Sequence, residues 1–147
     1  MADLPIPKSR DLGVPVASLL IARHEMALEE QEIVVEMKEL RLLEIDEEQT
    51  RIVADIDGNL GPEAARLDEV LEGIQRKQGS SATDVYRARI KARQQHLLIR
   101  QRNLRLLELD EERTGVNMDI VASANVIAKV KAEIAQQRAR LSEESHG

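Results

Sequence analysis

Two acidic runs contain the residues of this 147-residue chain whose types and spacing could bind a metal ion. They are Asp46-Glu47-Glu48 and Asp110-Glu111-Glu112. Carboxylate oxygens are the ligands that hard cations such as Mg²⁺ and Ca²⁺ prefer. Neighbouring residues of a helix point in different directions, however, and charged runs of this kind usually form a solvated face. We therefore predict no metal site at these carboxylates.

The remaining chemistry-bearing residues do not form a known catalytic pattern. His24 and His96 have no second His or acid at helical ligand spacing, and the single Glu-x-x-His pair is Glu143 and His146 at the C-terminus. The sequence has no Cys, nucleophile elbow, phosphate-binding loop or dinucleotide fingerprint. The sequence thus predicts a protein that is not an enzyme and has no cofactor.

A cluster of basic residues is the best candidate for a nucleic-acid contact. Between Arg87 and Arg105 the chain has six Arg and one Lys and no acid. Clustered Arg can replace the counterions of a phosphate backbone. Tyr86 is the sole aromatic residue, so side chains that stack on bases are almost missing. We expect these Arg residues to contact protein, and nucleic acid is the alternative partner.

An internal repeat organises the chain. Leu40-Arg-Leu-Leu-Glu-Ile-Asp-Glu-Glu-Gln-Thr50 returns 64 residues later as Leu104-Arg-Leu-Leu-Glu-Leu-Asp-Glu-Glu-Arg-Thr114. A repeat of this size predicts two copies of one supersecondary unit. We assign residues 14–79 to the first copy and 80–147 to the second. Residues 1–13, which contain Pro5 and Pro7, are predicted to be an extended arm, either docked on a neighbouring subunit or free.

The first copy is predicted to be a long helix followed by a short one. Helix 1 should run for about 40 residues, because no Gly or Pro lies between Val16 and Asp57. Asp57–Gly61 is predicted to be a turn and Pro62 the first residue of helix 2. Helix 2 should then fold back over the end of helix 1. Thr83 is expected to cap helix 3.

The second copy leaves two alternatives open. Val121-Ala-Ser-Ala-Asn125 stands where the first copy has its turn, yet apolar residues keep a step of seven across it. Helix 3 either bends near Ala122 into a second hairpin or runs on as one helix. The duplication favours the bend. The predicted fold is therefore all-α, a duplicated hairpin that forms a four-helix bundle or a coiled-coil-like assembly.

Both long helices have apolar residues on two sides, so each needs more than one neighbour. The charges suggest one of these contacts, since residues 25–39 have six Glu and one Lys while the aligned part of helix 3 is basic. We predict that the two surfaces meet, either within one chain or between chains. The predicted interface residues are Met26, Ile33, Leu40, Ile90, Leu97, Leu104, Glu25, Glu29, Glu36, Arg89, Arg93 and Arg100.

These observations favour a non-catalytic structural or assembly protein that acts through helix packing in a homo-oligomer. A subunit of a multi-copy particle, such as a phage virion or connector, would fit long helices and an N-terminal arm. The alternative is a regulatory or adaptor module that binds nucleic acid or an acidic partner through helix 3. The sequence has no recognisable secretion signal or membrane span, so we expect the protein in the cytoplasm or within an assembled particle.

Overall fold

The structure, a computed structural model, describes the backbone of residues 9–146 and the side chains of residues 16–143. Helix α1 spans Ser9–Asp55, a π-helical segment spans Ile56–Leu60, α2 spans Gly61–Arg76 and α3 spans Ala82–His146. The described residues contain no strand. The all-α prediction is confirmed.

Helix α1 begins earlier than the sequence predicts. Residues 9–13, which we predicted to be extended, already form its first turns. Residues 1–8 of the predicted arm lie outside the described residues.

Helix α3 is one continuous helix of 65 residues, so the favoured bend near Ala122 is wrong. The segment Val121–Asn125 contains neither Gly nor Pro, and each of its residues keeps the N–H that a helix requires. The duplication made the bend attractive, but the second copy has no Gly or Pro at the positions that hold Gly58, Gly61 and Pro62 in the first.

The predicted turn at Asp57–Gly61 is also wrong, because the helical backbone continues through it. Asp55, Leu60 and Gly61 all have right-handed helical dihedrals, and the Gly61 N–H donates to the Ile56 carbonyl five residues earlier. Pro62 lies in the first turn of α2, close to where we predicted it. A proline ring clashes with the carbonyl four residues before it, and a wider π turn accommodates that ring.

The π segment also keeps one apolar stripe in phase. Ile45 and Ile52 are seven residues apart, and so are Ala64 and Leu71. Ile56 and Ala64 lie on the same inward side of the helix, yet they are eight residues apart. The wider π turn absorbs the extra residue. The α2 residues on this side are Ala64, Leu67, Leu71 and Ile74.

The chain reverses between Arg76 and Ala82. Lys77 leaves the helix with an extended backbone, and Gly79 has a φ of 87°, which favours glycine. The Asp84 N–H donates to the Ser81 hydroxyl at 3.1 Å, so Ser81 rather than Thr83 caps α3.

The chain divides into two compact units, residues 41–115 and residues 1–40 with 116–147. In the first, Ile45, Ile52 and Leu109 form the core, and Ile56 and Leu106 pack against it. The end of α1 therefore packs on α3, and the prediction that helix 2 folds back over helix 1 is wrong.

In the second unit, α1 and α3 run antiparallel. Glu25 pairs with Arg138, and the Lys38 ammonium lies 3.2 Å from the Asp119 carboxylate. As the residue number of the α1 partner rises from 25 to 38, that of its α3 partner falls from 138 to 119. The acidic half of α1 thus contacts the C-terminal half of α3 in its own chain.

Candidate functional site

The two copies of the repeat pack against each other in the unit formed by residues 41–115. Arg41 donates to the Glu112 carboxylate through two nitrogens, at 2.6 and 2.7 Å. Arg105 donates to the Glu48 carboxylate in the same way, at 2.9 and 3.2 Å. A shift of 64 residues converts each pair into the other, so the contact has a local two-fold symmetry.

Further contacts obey the same symmetry. Gln49 donates to Asp110 at 2.8 Å, and Arg113 pairs with Asp46. Arg113 also donates to Gln49, the residue that it matches in the other copy. Asp46, Glu48, Asp110 and Glu112 are therefore partners of polar or basic side chains across the helix pair.

The Arg partners perturb the acid groups of these pairs. Hydrogen bonds from Arg105 lower the pKa of Glu48, and hydrogen bonds from Arg41 lower the pKa of Glu112. The pKa of Arg41 is raised by its hydrogen bonds to Glu112. Both carboxylates thus stay ionised to lower pH than an isolated Glu. Among the residues that the structure describes, no three His, Cys, Asp or Glu side chains are grouped to hold a metal ion.

The six apolar residues predicted to form the interface all lie on the surface of the chain. Their exposed fractions run from 48% for Ile33 to 66% for Met26. The other four are Leu40, Ile90, Leu97 and Leu104. They divide into two equally spaced sets, one on each long helix, and each set has a step of seven residues.

The set on α1 belongs to a surface that we call the acidic stripe. It consists of Met26, Glu29, Ile33, Glu36 and Leu40, all of them exposed. Neither Glu29 nor Glu36 forms an ion pair with any residue in the described part of the chain. The acidic stripe therefore presents apolar side chains and unpaired carboxylates together.

The set on α3 belongs to the basic stripe, which consists of Ile90, Arg93, Leu97, Arg100 and Leu104. Two shallow grooves run along it, and Leu97 and Arg100 line both. Within the described ranges, Arg93 and Arg100 have no carboxylate partner. Both guanidinium groups are thus available to a partner molecule.

The last two predicted interface residues have partners within the chain. Glu25 pairs with Arg138, and the Arg89 guanidinium lies 5.4 Å from the centre of the Tyr86 ring. Among the described residues, Glu29, Glu36, Arg93 and Arg100 are thus the charges of the predicted set that have no ion-pair partner.

Within residues 41–115, α3 makes several contacts with the segment before the chain reversal that were not predicted from the sequence. His96 Nε2 lies 2.9 Å from Asp68, and the Gln95 side chain donates to the Leu60 carbonyl at 3.1 Å. An open groove of about 740 Å³ lies nearby, lined in part by Leu67, Ile74 and Lys91. No local pattern connects residues of different helices, so only the chain reversal after Arg76 could have revealed these contacts.

Comparison with protein-family models, with curated proteins and with solved structures gives no match to this chain. Within residues 9–146, no helix has both the length and the continuous apolar character needed to cross a membrane.

Proposed function

We propose that this protein is a non-catalytic structural or assembly component that acts through helix packing in a homo-oligomer. The observation that carries the proposal is the exposure of six large apolar side chains at a step of seven residues. A helix with apolar residues on two sides needs neighbours on both, and the helix segment under each stripe already has one neighbour inside its own unit. The second stripe on each helix is free for another molecule.

Helix packing through such stripes is the mechanism by which coiled-coil proteins associate. Burial of the apolar side chains supplies the free energy, while the charged neighbours select the partner. Long helices with a second stripe would suit a subunit of a multi-copy particle, such as a phage virion or connector.

Light scattering coupled to size exclusion tests the proposal. We expect an oligomer at micromolar concentration, and we expect Ile33→Glu with Leu97→Glu to give a monomer with unchanged helix content. Val53→Glu is the matched control, because Val53 is exposed but lies outside both stripes. A wild-type monomer in both low and high salt would show that the proposal is wrong.

A second function is supported by the unpaired basic residues of α3. Arg87, Lys91, Arg93, Arg100 and Arg102 form no ion pair with the residues described. An adaptor that binds nucleic acid or an acidic protein would use this face. The net charge of −6 and the single Tyr favour the assembly function.

Filter binding with random DNA and RNA at low salt distinguishes the two functions. Nucleic-acid binding should weaken steeply as salt increases, and Arg93→Ala with Arg100→Ala should reduce its salt dependence. No retention of either nucleic acid at low salt would exclude that part of the second function.

A further inference from the structure

We propose that the acidic stripe of one copy pairs in parallel with the basic stripe of a second copy, residue n facing residue n+64. This inference rests on the proposed self-association and names the surfaces, the direction and the register. Facing layers would be Met26 with Ile90, Glu29 with Arg93, Ile33 with Leu97, Glu36 with Arg100, and Leu40 with Leu104.

The spacing within each stripe matches one side of a coiled-coil seam. Met26, Ile33 and Leu40 occupy one heptad position, a, and Glu29 and Glu36 lie three residues further on, at d. The basic stripe has apolar residues at a as well, but Arg93 and Arg100 at d. The two stripes are therefore alike in their apolar layers and opposite in their charged layers.

Charge decides which stripes can pair. In a parallel helix pair, a residues face a residues and d residues face d residues. Two acidic stripes would place Glu against Glu in each charged layer, and two basic stripes would place Arg against Arg. Like charges at close range exclude both of those pairings, whereas the mixed pair joins Glu to Arg in both layers.

Direction follows from the same positions. In an antiparallel pair, a residues face d residues, so Glu29 and Glu36 would lie against apolar side chains of α3. Arg93 and Arg100 would likewise lie against apolar side chains of α1. Charges brought into a contact without partners are costly, so the parallel direction is favoured.

One flanking pair supports the parallel register. Glu30 follows Met26 by four residues and Arg89 precedes Ile90 by one, which are the e and g positions of a parallel seam. Residues at g and e of facing helices form the salt bridges that set partner choice. Glu30 is exposed and forms no ion pair with the described residues.

Disulfide crosslinking tests the register directly, because the chain has no Cys of its own. We expect a mixture of Ile33→Cys and Leu97→Cys chains to form disulfide-linked heterodimers, since facing seam residues lie within disulfide reach. Met26→Cys mixed with Leu104→Cys is the control. Those positions would be 14 residues, about 21 Å, out of register in the parallel pair, and adjacent in an antiparallel one.

Charge reversal tests the selection of partner. Glu29→Arg with Glu36→Arg, or Arg93→Glu with Arg100→Glu, should each weaken association at least tenfold. A 1:1 mixture of the two variants should restore it, because each chain then meets an opposite charge in both layers. Glu69→Arg with Glu143→Arg changes the net charge equally at exposed sites outside the stripes and should have little effect.

The outcomes separate this inference from the proposed function. A wild-type monomer would overturn both. Two results would overturn the parallel pairing but leave self-association standing. One is an oligomer that tolerates each charge reversal. The other is crosslinking of Met26→Cys to Leu104→Cys chains that is as efficient as crosslinking of Ile33→Cys to Leu97→Cys chains. Strong crosslinking within either single-Cys population would overturn it as well.

Discussion

Ile45 and Leu109 belong to one core cluster and occupy the same position in the two copies of the repeat. Each has a fully buried side chain, and they are 64 residues apart, which is the offset of the repeat. They therefore lie at the centre of the local two-fold symmetry that relates Arg41–Glu112 to Arg105–Glu48. The duplicated segment is complementary to itself, and this is how it forms a core inside one chain.

This relationship predicts similar losses for Ile45→Ala and Leu109→Ala. Each should lower the free energy of unfolding by about 2–5 kcal/mol, because each empties a fully buried site. Val53→Ala, at a side chain that is 45% exposed, should stay within about 0.5 kcal/mol of the wild type. Urea denaturation at one fixed protein concentration measures all three. A neutral result at either core site would contradict the shared core.

The π segment predicts opposite effects for two nearby glycines. A Cβ at residue 61 would lie 2.8 Å from the Ile56 carbonyl oxygen, whereas a Cβ at residue 58 would meet nothing within 4 Å. Gly61→Ala should therefore destabilise the protein by about 1–3 kcal/mol. Gly58→Ala should stabilise it by about 0.4–1 kcal/mol, because alanine reduces the entropy of the unfolded chain. Thermal unfolding followed by circular dichroism distinguishes them, and equal effects would refute the steric argument.

The ion pairs predict a loss of stability in acid. Glu48 and Glu112 have pKa values below the ordinary value of 4.5 when folded, so their stabilising effect is complete above that value. It is lost as the pH falls through the folded pKa. Glu48→Gln with Glu112→Gln should lower stability at pH 7 and flatten its dependence on pH below about 4.5.

The same acidic runs supply the control for that experiment. Glu47 and Glu111 are exposed, are equivalent in the two copies and form no ion pair with the described residues. Glu47→Gln with Glu111→Gln should leave the acid dependence close to that of the wild type. Denaturant titrations between pH 2.5 and pH 7 compare the two variants, and identical curves would rule out the ion pairs as the cause.

The local symmetry predicts equal coupling in the two Arg–Glu pairs. Double-mutant cycles on Arg41 with Glu112 and on Arg105 with Glu48 should give coupling energies that agree, because the pairs have equivalent surroundings. Both couplings should decrease as salt is added, since all four side chains are partly exposed. Unequal couplings would show that the two copies have diverged in structure.

Some features of the fold were predictable from local patterns. Ile45 and Ile52 are seven residues apart and share the core, and Ile56, four residues further on, packs against it, as helical spacing along α1 requires. The six apolar interface residues were predicted from a second stripe, and the structure leaves that stripe uncovered in the described chain. Pairings such as His96 with Asp68 join different helices and could not be predicted from spacing.

The sequence by itself determined that the chain is helical and that it contains a repeat. These properties depend on spacing along one helix and on the offset of 64 residues. Only the tertiary structure decided where the chain reverses. Gly61 and Pro62 can directly follow a π turn, which keeps the apolar stripe in phase, whereas Gly79 has the positive φ of a true turn. A glycine destabilises a helix by only about 1 kcal/mol, which is less than the free energy gained when an apolar stripe is buried along several helical turns. Packing of that stripe against α3 therefore keeps the chain helical through Gly61.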